Sequence, residues 1–392
     1  MATDWDVIVL GARCAGSPLA MLLARRGYRV LLLDRATFPS DTISTHILQP
    51  RGVAALSRWG LLDELIATGC PPIHTYAFDF GPFTVAGAPG ADDSPVSYCP
   101  RRTVLDALLV NAAAAAGAEL RQGFVVEEIL IEAGRVVGIR GRTKDGRSVV
   151  ERARVVVGAD GHRSKVAKAV GAQSYNERPL LLAGYYSYWS GLPMDGRYDI
   201  YIRDRRGFGV APTHDGLTLI VGGWPYAEFE TNKQHIERSF LEMLDLAPPL
   251  GARVRAARRE APFAGMPVPN FFRTPFGPGW ALVGDAGYTR DPITAQGISD
   301  AFVDAERSSA ALDAALSGER SFDAAMSECQ RERDAQALPM YELTCQLASL
   351  EPPPPEMQQV IGSILGNQAA MNGFVQMNAG TISPAAFFSQ PV

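Results

Sequence analysis

The sequence predicts an α/β fold in which a parallel-sheet region is interleaved along the chain with an antiparallel-sheet region, followed by a helical C-terminal tail. Three observations predict it. The first 35 residues alternate strand, turn, helix and strand. Buried-strand runs of the same texture return near residues 154 and 280. Residues 180–223 change to an aromatic-rich pattern of short strands and turns.

Asp6 to Leu10 is a short continuous apolar run, as expected of a strand buried on both faces. Gly11 to Gly16 is a small-residue turn. Ser17 to Arg26 carries Leu19, Leu22 and Leu23 at helical spacing and ends at Gly27, a natural C-cap. Tyr28 to Leu33 is a second buried strand closed by Asp34. The helical connection makes this βαβ pair parallel. A helix over 103–116 precedes strand signals at Glu119-Leu120 and Val125-Val126. Val136 to Ile139 and Ser148 to Arg152 read as a hairpin, and Arg154 to Val157 as another buried strand.

The antiparallel pattern follows at Leu181–Leu192, Tyr198–Arg203, Phe208–Pro212 and Leu217–Trp224. A helix is expected over 231–246 and a strand near Arg253 to Arg258. Trp280 to Val283 returns to the buried-strand pattern and Ile298 to Leu316 is a long helix. One unit is therefore expected from residues 1–72, 99–177 and 273–330, a second from 73–98 and 178–272, and a helical tail over 331–392. Pro352–Pro355 reads as a rigid extended break. No internal repeat is visible.

Composition excludes several classes. With 47% hydrophobic and 20% charged residues among 392, a large core can be buried and wholesale disorder is ruled out. The 37 basic and 42 acidic side chains give a net charge of −5, and no basic cluster exceeds Arg25-Arg26 or Arg205-Arg206, so nucleic acid is not expected as a partner. The most apolar helical stretch, Val104 to Ala118, is broken by Asp106 and Asn111, so no membrane span is expected. Asp4 and Asp6 precede the first apolar run, the wrong order for a secretory signal. Five scattered cysteines read as reduced thiols of a cytoplasmic protein. Five dispersed histidines give no support for a metal site.

Three motifs carry chemistry. Gly11-Ala-Arg-Cys-Ala-Gly16 lies between strand and helix, with Asp34 ending the next strand. Such a turn offers a helix N-terminus to a pyrophosphate and a carboxylate to a ribose hydroxyl. Arg13 replaces the usual middle glycine, and its guanidinium is a candidate phosphate contact; an ordinary βαβ turn is the alternative. Val157-Gly-Ala-Asp-Gly-His-Arg-Ser164 puts Asp160 and Gly161 at the carboxyl end of a buried strand, where doubly wound sheets bind ligands, unless it is a simple Asp-Gly turn. In the third, a strand delivers Asp285, Pro292 stiffens a loop, and Gln296-Gly297-Ile298 opens a helix whose N–H groups suit an anionic ring edge.

Over roughly residues 4–330, these three motifs in this order resemble the flavoprotein monooxygenases of the para-hydroxybenzoate hydroxylase type. That superfamily is shared with geranylgeranyl reductases and flavin-dependent halogenases. The resemblance implies a Rossmann-like FAD-binding domain interleaved with an antiparallel-sheet substrate domain. Gly11, Arg13, Ala15 and Gly16 would hold the FAD pyrophosphate, with Asp34 and the following Arg35 at the adenosine. Arg102 would contact FAD from its helix, and the Val126 backbone would flank the adenine. Asp160 and Gly161, with Ser164, would handle FAD and NAD(P)H, and Asp285 would bind the ribityl chain. Pro292 would lie by the isoalloxazine as part of the catalytic centre, and Gly297 and Ile298 would face flavin N1 and O2.

The chain departs from the family pattern at Gly287 and Tyr288 after the Gly-Asp pair, at Ala295 for the loop's first glycine, and at Ser299 for an asparagine. His46 stands where aromatic hydroxylases often place an arginine, and is a candidate for proton handling beside the flavin; a packed structural histidine is the alternative.

The expected activity is hydroxylation of an aromatic or polycyclic small molecule by O₂ through a flavin C4a-hydroperoxide, with NADH or NADPH as reductant. The alternative is a double-bond reductase of the geranylgeranyl reductase type. Halogenation is disfavoured, because Gly222-Gly-Trp-Pro-Tyr226 lacks the halogenases' tryptophan motif and no lysine precedes Lys144. Tyr185, Tyr186, Tyr188, Trp189, Tyr198, Tyr201 and Trp224 would roof a flat apolar pocket, or alternate aromatics would pack one sheet face. The tail, with Met371–Met377 and Phe387-Phe388, would close the substrate site, form a homodimer face, or pack against the FAD domain. A partner flavin reductase is left open.

Overall fold

The computed structural model describes residues 4–91, 94–352 and 354–389, so Pro353 of the proline run and both outermost ends of the expected segments lie outside the described residues. Its first sheet has a parallel core in the order Trp280–Leu282, Ser148–Gly158, Trp5–Leu10, Val30–Asp34, Glu119–Gln122. Val7, Val9, Leu32, Val155 and Val157 pack with side chains of the helices Gly16–Arg25, Arg102–Ala115 and Gly297–Leu316. Ile8, Leu10, Leu31, Leu33 and Val156 belong to a separate core with Phe124, Ile129, Ile139 and Val166. Two covered faces explain why these strands read as unbroken apolar runs. Ser148–Gly158 is a single strand: as far as Arg152 it pairs antiparallel with Arg135–Arg142, and from Ala153 it runs parallel to Trp5–Leu10.

The second sheet runs in the order Arg258–Arg259, Leu182–Ser190, Thr218–Pro225, Arg206–Pro212, Arg197–Arg203, Thr75–Asp79, Thr84–Gly87. Thr75–Asp79 lies parallel to Arg197–Arg203, an exception in an otherwise antiparallel sheet. This pairing brings residues from the 73–98 stretch into one sheet with those of 178–272.

Three sequence expectations change. The stretch expected as a strand at Arg253 to Arg258 is mostly the helix Pro248–Ala256, with Pro in its first turn and Leu250 and Val254 buried one turn apart. The helix expected over 231–246 is two helices, Phe229–Gln234 and Ile236–Leu244, meeting at His235 in a non-helical conformation. The expected start of the tail at residue 331 falls inside the helix Phe322–Ala348. Ile361, Ile364, Phe374, Val375, Met377 and Phe387 join Tyr76, Phe78, Tyr198 and Leu219 on one face of the second. No described helix is long and apolar enough to cross a membrane, and among the described residues no group of three His, Cys, Asp or Glu could hold a metal ion.

Candidate active site

The parallel register aligns Leu10, Gly158 and Leu282, so all three motif turns leave the same carboxyl edge side by side. Close packing there demands glycine. Gly11 has φ +99°, and a Cβ on it would stand 2.4 Å from the Ala159 carbonyl oxygen; one on Gly16 would stand 1.8 Å from the Gly11 oxygen. Ala15 packs against the third motif, since a Cβ on Gly284 would lie 2.7 Å from the Ala15 methyl. The Gly284 N–H donates to Asp304 Oδ2 at 2.8 Å. No side chain caps the N-terminus of Gly16–Arg25, and no acidic residue lies in its first turn. Its positive end is therefore available to an anion.

Asp34 accepts the Ala12 N–H (2.8 Å) on Oδ2 and the Ala36 N–H (2.7 Å) on Oδ1, which fixes the carboxylate beside the glycine turn. Arg35 is exposed next to it. Val126 lies in the strand Val125–Glu132, which follows directly from Phe124, whose N–H donates to the Asp34 carbonyl (2.9 Å), and the Val126 carbonyl accepts from Lys165 Nζ. Asp160 Oδ2 accepts the Lys165 N–H (2.7 Å), whereas Oδ1 is buried without a partner, and burial raises the carboxyl above its usual range. Gly161 takes φ +80° in open space. Ser164 caps the next helix by accepting the Ala167 N–H.

Arg13 does not present a free guanidinium to the turn. It reaches Asp106 (2.5 Å), the Ser40 hydroxyl (3.1 Å) and the Asp41 carbonyl (3.2 Å), over the Phe38 ring. Its sequence role as a phosphate contact meets this competing demand. Arg102 donates to both oxygens of the same Asp106, which is fully buried. Cys14 Sγ donates to Asp106 Oδ1 (3.4 Å), and burial pushes its thiol up, so it stays protonated. In the sequence Asp106 stands out only as a break in an apolar stretch. The signal that could have found it is Arg102 one helical turn earlier.

Asp285 opens to solvent but is closely surrounded by protein, which raises its carboxyl to about 6 against the lowering charge of Arg102. Asp291 is more enclosed; burial brings it to about 7, and its Oδ1 accepts the Ile293 N–H to start the turn Pro292–Thr294. Ala295, where the family has glycine, is left-handed at φ +51°. Gly297 is exposed and a Cβ there would meet nothing within 4 Å, while Ile298 is buried; no side chain caps this helix.

His46 is fully buried at φ +64°. Its Nε2 pairs with the Tyr188 hydroxyl at 2.8 Å, and its ring meets Tyr186 edge-on at 5.0 Å. Burial first, then the charge of Arg102, lowers it to about 3, against a smaller opposing effect of the nearby Ser44 backbone; among the described residues no group stands in good hydrogen-bond geometry to Nδ1. His46 is therefore a neutral imidazole at ordinary pH. Three residues on, the Gln49 N–H donates to Ser299 Oγ (3.1 Å), which anchors this segment on the first turn of the helix Gly297–Leu316.

Period-two alternation divides the aromatic residues. Tyr186, Tyr188 and Tyr198 face the His46 side, whereas Tyr185, Trp189, Tyr201 and Trp224 pack with Phe240 and Met243 on the far face. The expected seven-residue roof is therefore a smaller one.

FAD fits this arrangement. Two uncapped helix N-termini, glycines at which a Cβ would fill the turn, and the Asp34 and Asp285 carboxylates suit its phosphates, ribose and ribityl hydroxyls. A family model described as an FAD binding domain matches residues 4–340. The chain belongs to this FAD-binding family. It is an FAD-dependent oxidoreductase. Similar curated proteins include digeranylgeranylglycerophospholipid reductase 2 of Methanopyrus kandleri, 28% identical over 76% of this chain and 74% of the relative. Menaquinone reductase of Mycolicibacterium smegmatis is 28% identical over the same shares. Among solved structures, the myxobacterial chondrochloren halogenase CndH has a TM-score of 0.82 at 23% identity, covering 97% of this chain and 99% of its own. PqsL of Pseudomonas aeruginosa has 0.73 at 21%, covering 98% and 100%. At those identities the structural likeness is one of fold.

Proposed function

We propose that the chain is an FAD-dependent monooxygenase that hydroxylates an aromatic or polycyclic small molecule, with NADH or NADPH as the reductant. One observation carries this reading: the second sheet turns a wall of polar aromatic groups toward the segment anchored on the flavin-side helix. There His46 Nδ1 and Arg101 Nε are buried without partners, beside Tyr186 and Tyr188. Unpartnered buried polar groups cost about 1–3 kcal/mol each. A hydroxyl- or keto-bearing ring can satisfy them once the segment around His46 moves to admit it, and a plain hydrocarbon chain cannot.

When bound, FAD supplies two-electron redox chemistry and the activation of O₂. The chain's own residues bind and orient. The uncapped N-terminus of Gly297–Leu316 places positive dipole where negative charge would gather. Neutral His46, held by Tyr188, is an acceptor or donor of a hydrogen bond to a substrate hydroxyl and does not add a charge at ordinary pH. The tail helices cover the inner sheet face and exclude water from it.

A second reading, a double-bond reductase, is favoured by the reductase relatives at 26–30% identity. Following NAD(P)H oxidation and product mass with and without O₂ separates the two. Oxygen-dependent turnover and a product heavier by one oxygen support the monooxygenase. Anaerobic turnover with two hydrogens added to the product would sink it in favour of the reductase.

A further inference from the structure

The loop between Pro292 and Ile298 is held from behind, residue by residue, by the C-terminal helices. Thr294 Oγ1 lies 3.0 Å from Thr344 Oγ1 on the helix Phe322–Ala348. The left-handed Ala295 is buried with Phe374, Val375, Met377 and Ala379. Gln296 is gripped at both ends of its amide: Nε2 donates to the Asn378 carbonyl and Oε1 accepts from Arg51 Nη2, each at 2.8 Å. Behind it stands Gly380, the left-handed cap of the helix Gln368–Ala379, where an added Cβ would come within 2.8 Å of Gln296 Oε1.

The same helix is fastened to the outer edge of the second sheet. Asn372 Oδ1 accepts the Ala88 N–H (3.1 Å), Gln368 Nε2 donates to the Ala86 carbonyl (3.0 Å), and Gln376 Nε2 donates to the Gly90 carbonyl (3.1 Å). It therefore spans from that edge to the residue immediately before Gly297.

We propose that Gln296 is a positioning residue for the flavin edge, and that the helix Gln368–Ala379 with its Gly380 cap is the clamp that fixes it. This rests on the reading that Gly297 and Ile298 face FAD. Gln296 sits at the N-cap of their helix, and its backbone carbonyl accepts the Asp300 N–H (2.9 Å). An immobile Gln296 amide thus fixes where the uncapped N–H groups of that helix point. Those groups stabilise negative charge on a reduced flavin only when they are aimed at it. The tail thereby sets electron affinity without touching the cofactor.

The test uses the FAD-loaded full chain and three variants: Gln296→Ala, Gly380→Asn and the double variant. Asparagine tolerates the left-handed backbone while adding the intruding Cβ. Each is equilibrated with a reference dye of known potential, and FAD content is measured alongside. Both single variants should keep full FAD while the flavin–dye equilibrium moves toward oxidised flavin by about threefold to tenfold, the size of one perturbed hydrogen bond. The double variant should move no further than Gln296→Ala, because both changes act through one amide. An unchanged equilibrium in either single variant, additive shifts, or loss of FAD overturns the proposal. Asp285→Ala is the separate control on FAD placement: full FAD retained there refutes the underlying reading, whatever the Gln296 variants do.

Discussion

Arg13 Nη1 stands 2.5 Å from Asp106 Oδ2, and Arg102 holds the same carboxylate through both of its oxygens. Two guanidiniums thus share one buried carboxylate directly behind the glycine turn. The arrangement also ties three chain segments together, because Arg13 holds the Ser40-Asp41 backbone that leads to His46.

Asp106→Asn is expected to destabilise the FAD-free protein by about 3 kcal/mol, because it removes the buried carboxylate to which the buried Arg102 is hydrogen-bonded. Arg13→Gly should cost clearly less, since Arg13 is partly exposed and Asp106 keeps Arg102. Urea unfolding of both variants checks the order. Equal losses would contradict the picture of a carboxylate serving mainly the inner arginine.

Asp285→Ala should abolish tight FAD binding, read as the flavin absorbance per chain after purification and reconstitution. The carboxyl is the acidic group of the third motif and lies within the field of Arg102. Full flavin content in the variant would show that the motif had been assigned wrongly.

The parallel strands and three motif turns were legible because two-sided burial and glycine turns leave local marks. Gly11 and Gly16 are required by contacts within the site itself, so their spacing carried the signal. Gln296 was not legible, because its partner Asn378 lies in the tail, and of Asp106 only the local half showed: Arg102 stands one turn before it, whereas Arg13 is far away along the chain. For the aromatic residues a pocket roof and a packed sheet face both stay open in the sequence, because composition does not show which strand face each occupies. The helix Pro248–Ala256 is hidden for a related reason: it buries only Leu250, Gly251 and Val254, too few apolar positions to mark a helical period.

His46 gives a pH prediction. Its folded-state value near 3 lies below its ordinary 6.5, so the folded protein binds fewer protons there. The stability this represents is present above pH 6.5 and is lost as the pH falls toward about 3. His46→Asn, which tolerates the positive φ, removes that dependence. Its urea midpoint should therefore fall less steeply than wild type between pH 6.5 and 4. Asp285 and Asp291, with raised values, act in the opposite sense as pH rises, but they are present in both proteins and cancel in the difference. Parallel profiles would show that the buried imidazole is not the group responsible.

Two glycine-to-alanine changes separate packing from cofactor contact. Gly16→Ala puts a Cβ within 1.8 Å of the Gly11 oxygen, so the turn must open, at a cost of about 1–3 kcal/mol or more, and FAD binding should be lost with it. Gly297→Ala meets nothing within 4 Å and lies in the first turn of a helix, where alanine is the better residue by up to about 1 kcal/mol. The FAD-free Gly297→Ala protein should therefore be as stable as wild type or more so. Its FAD affinity should nevertheless fall, because the added methyl occupies space that the flavin edge needs. Thermal unfolding without FAD and flavin fluorescence titration measure the two effects separately. An unchanged affinity would place the ring away from this helix, and a loss of both stability and affinity would mean that the open space around Gly297 belongs to the fold and not to the cofactor.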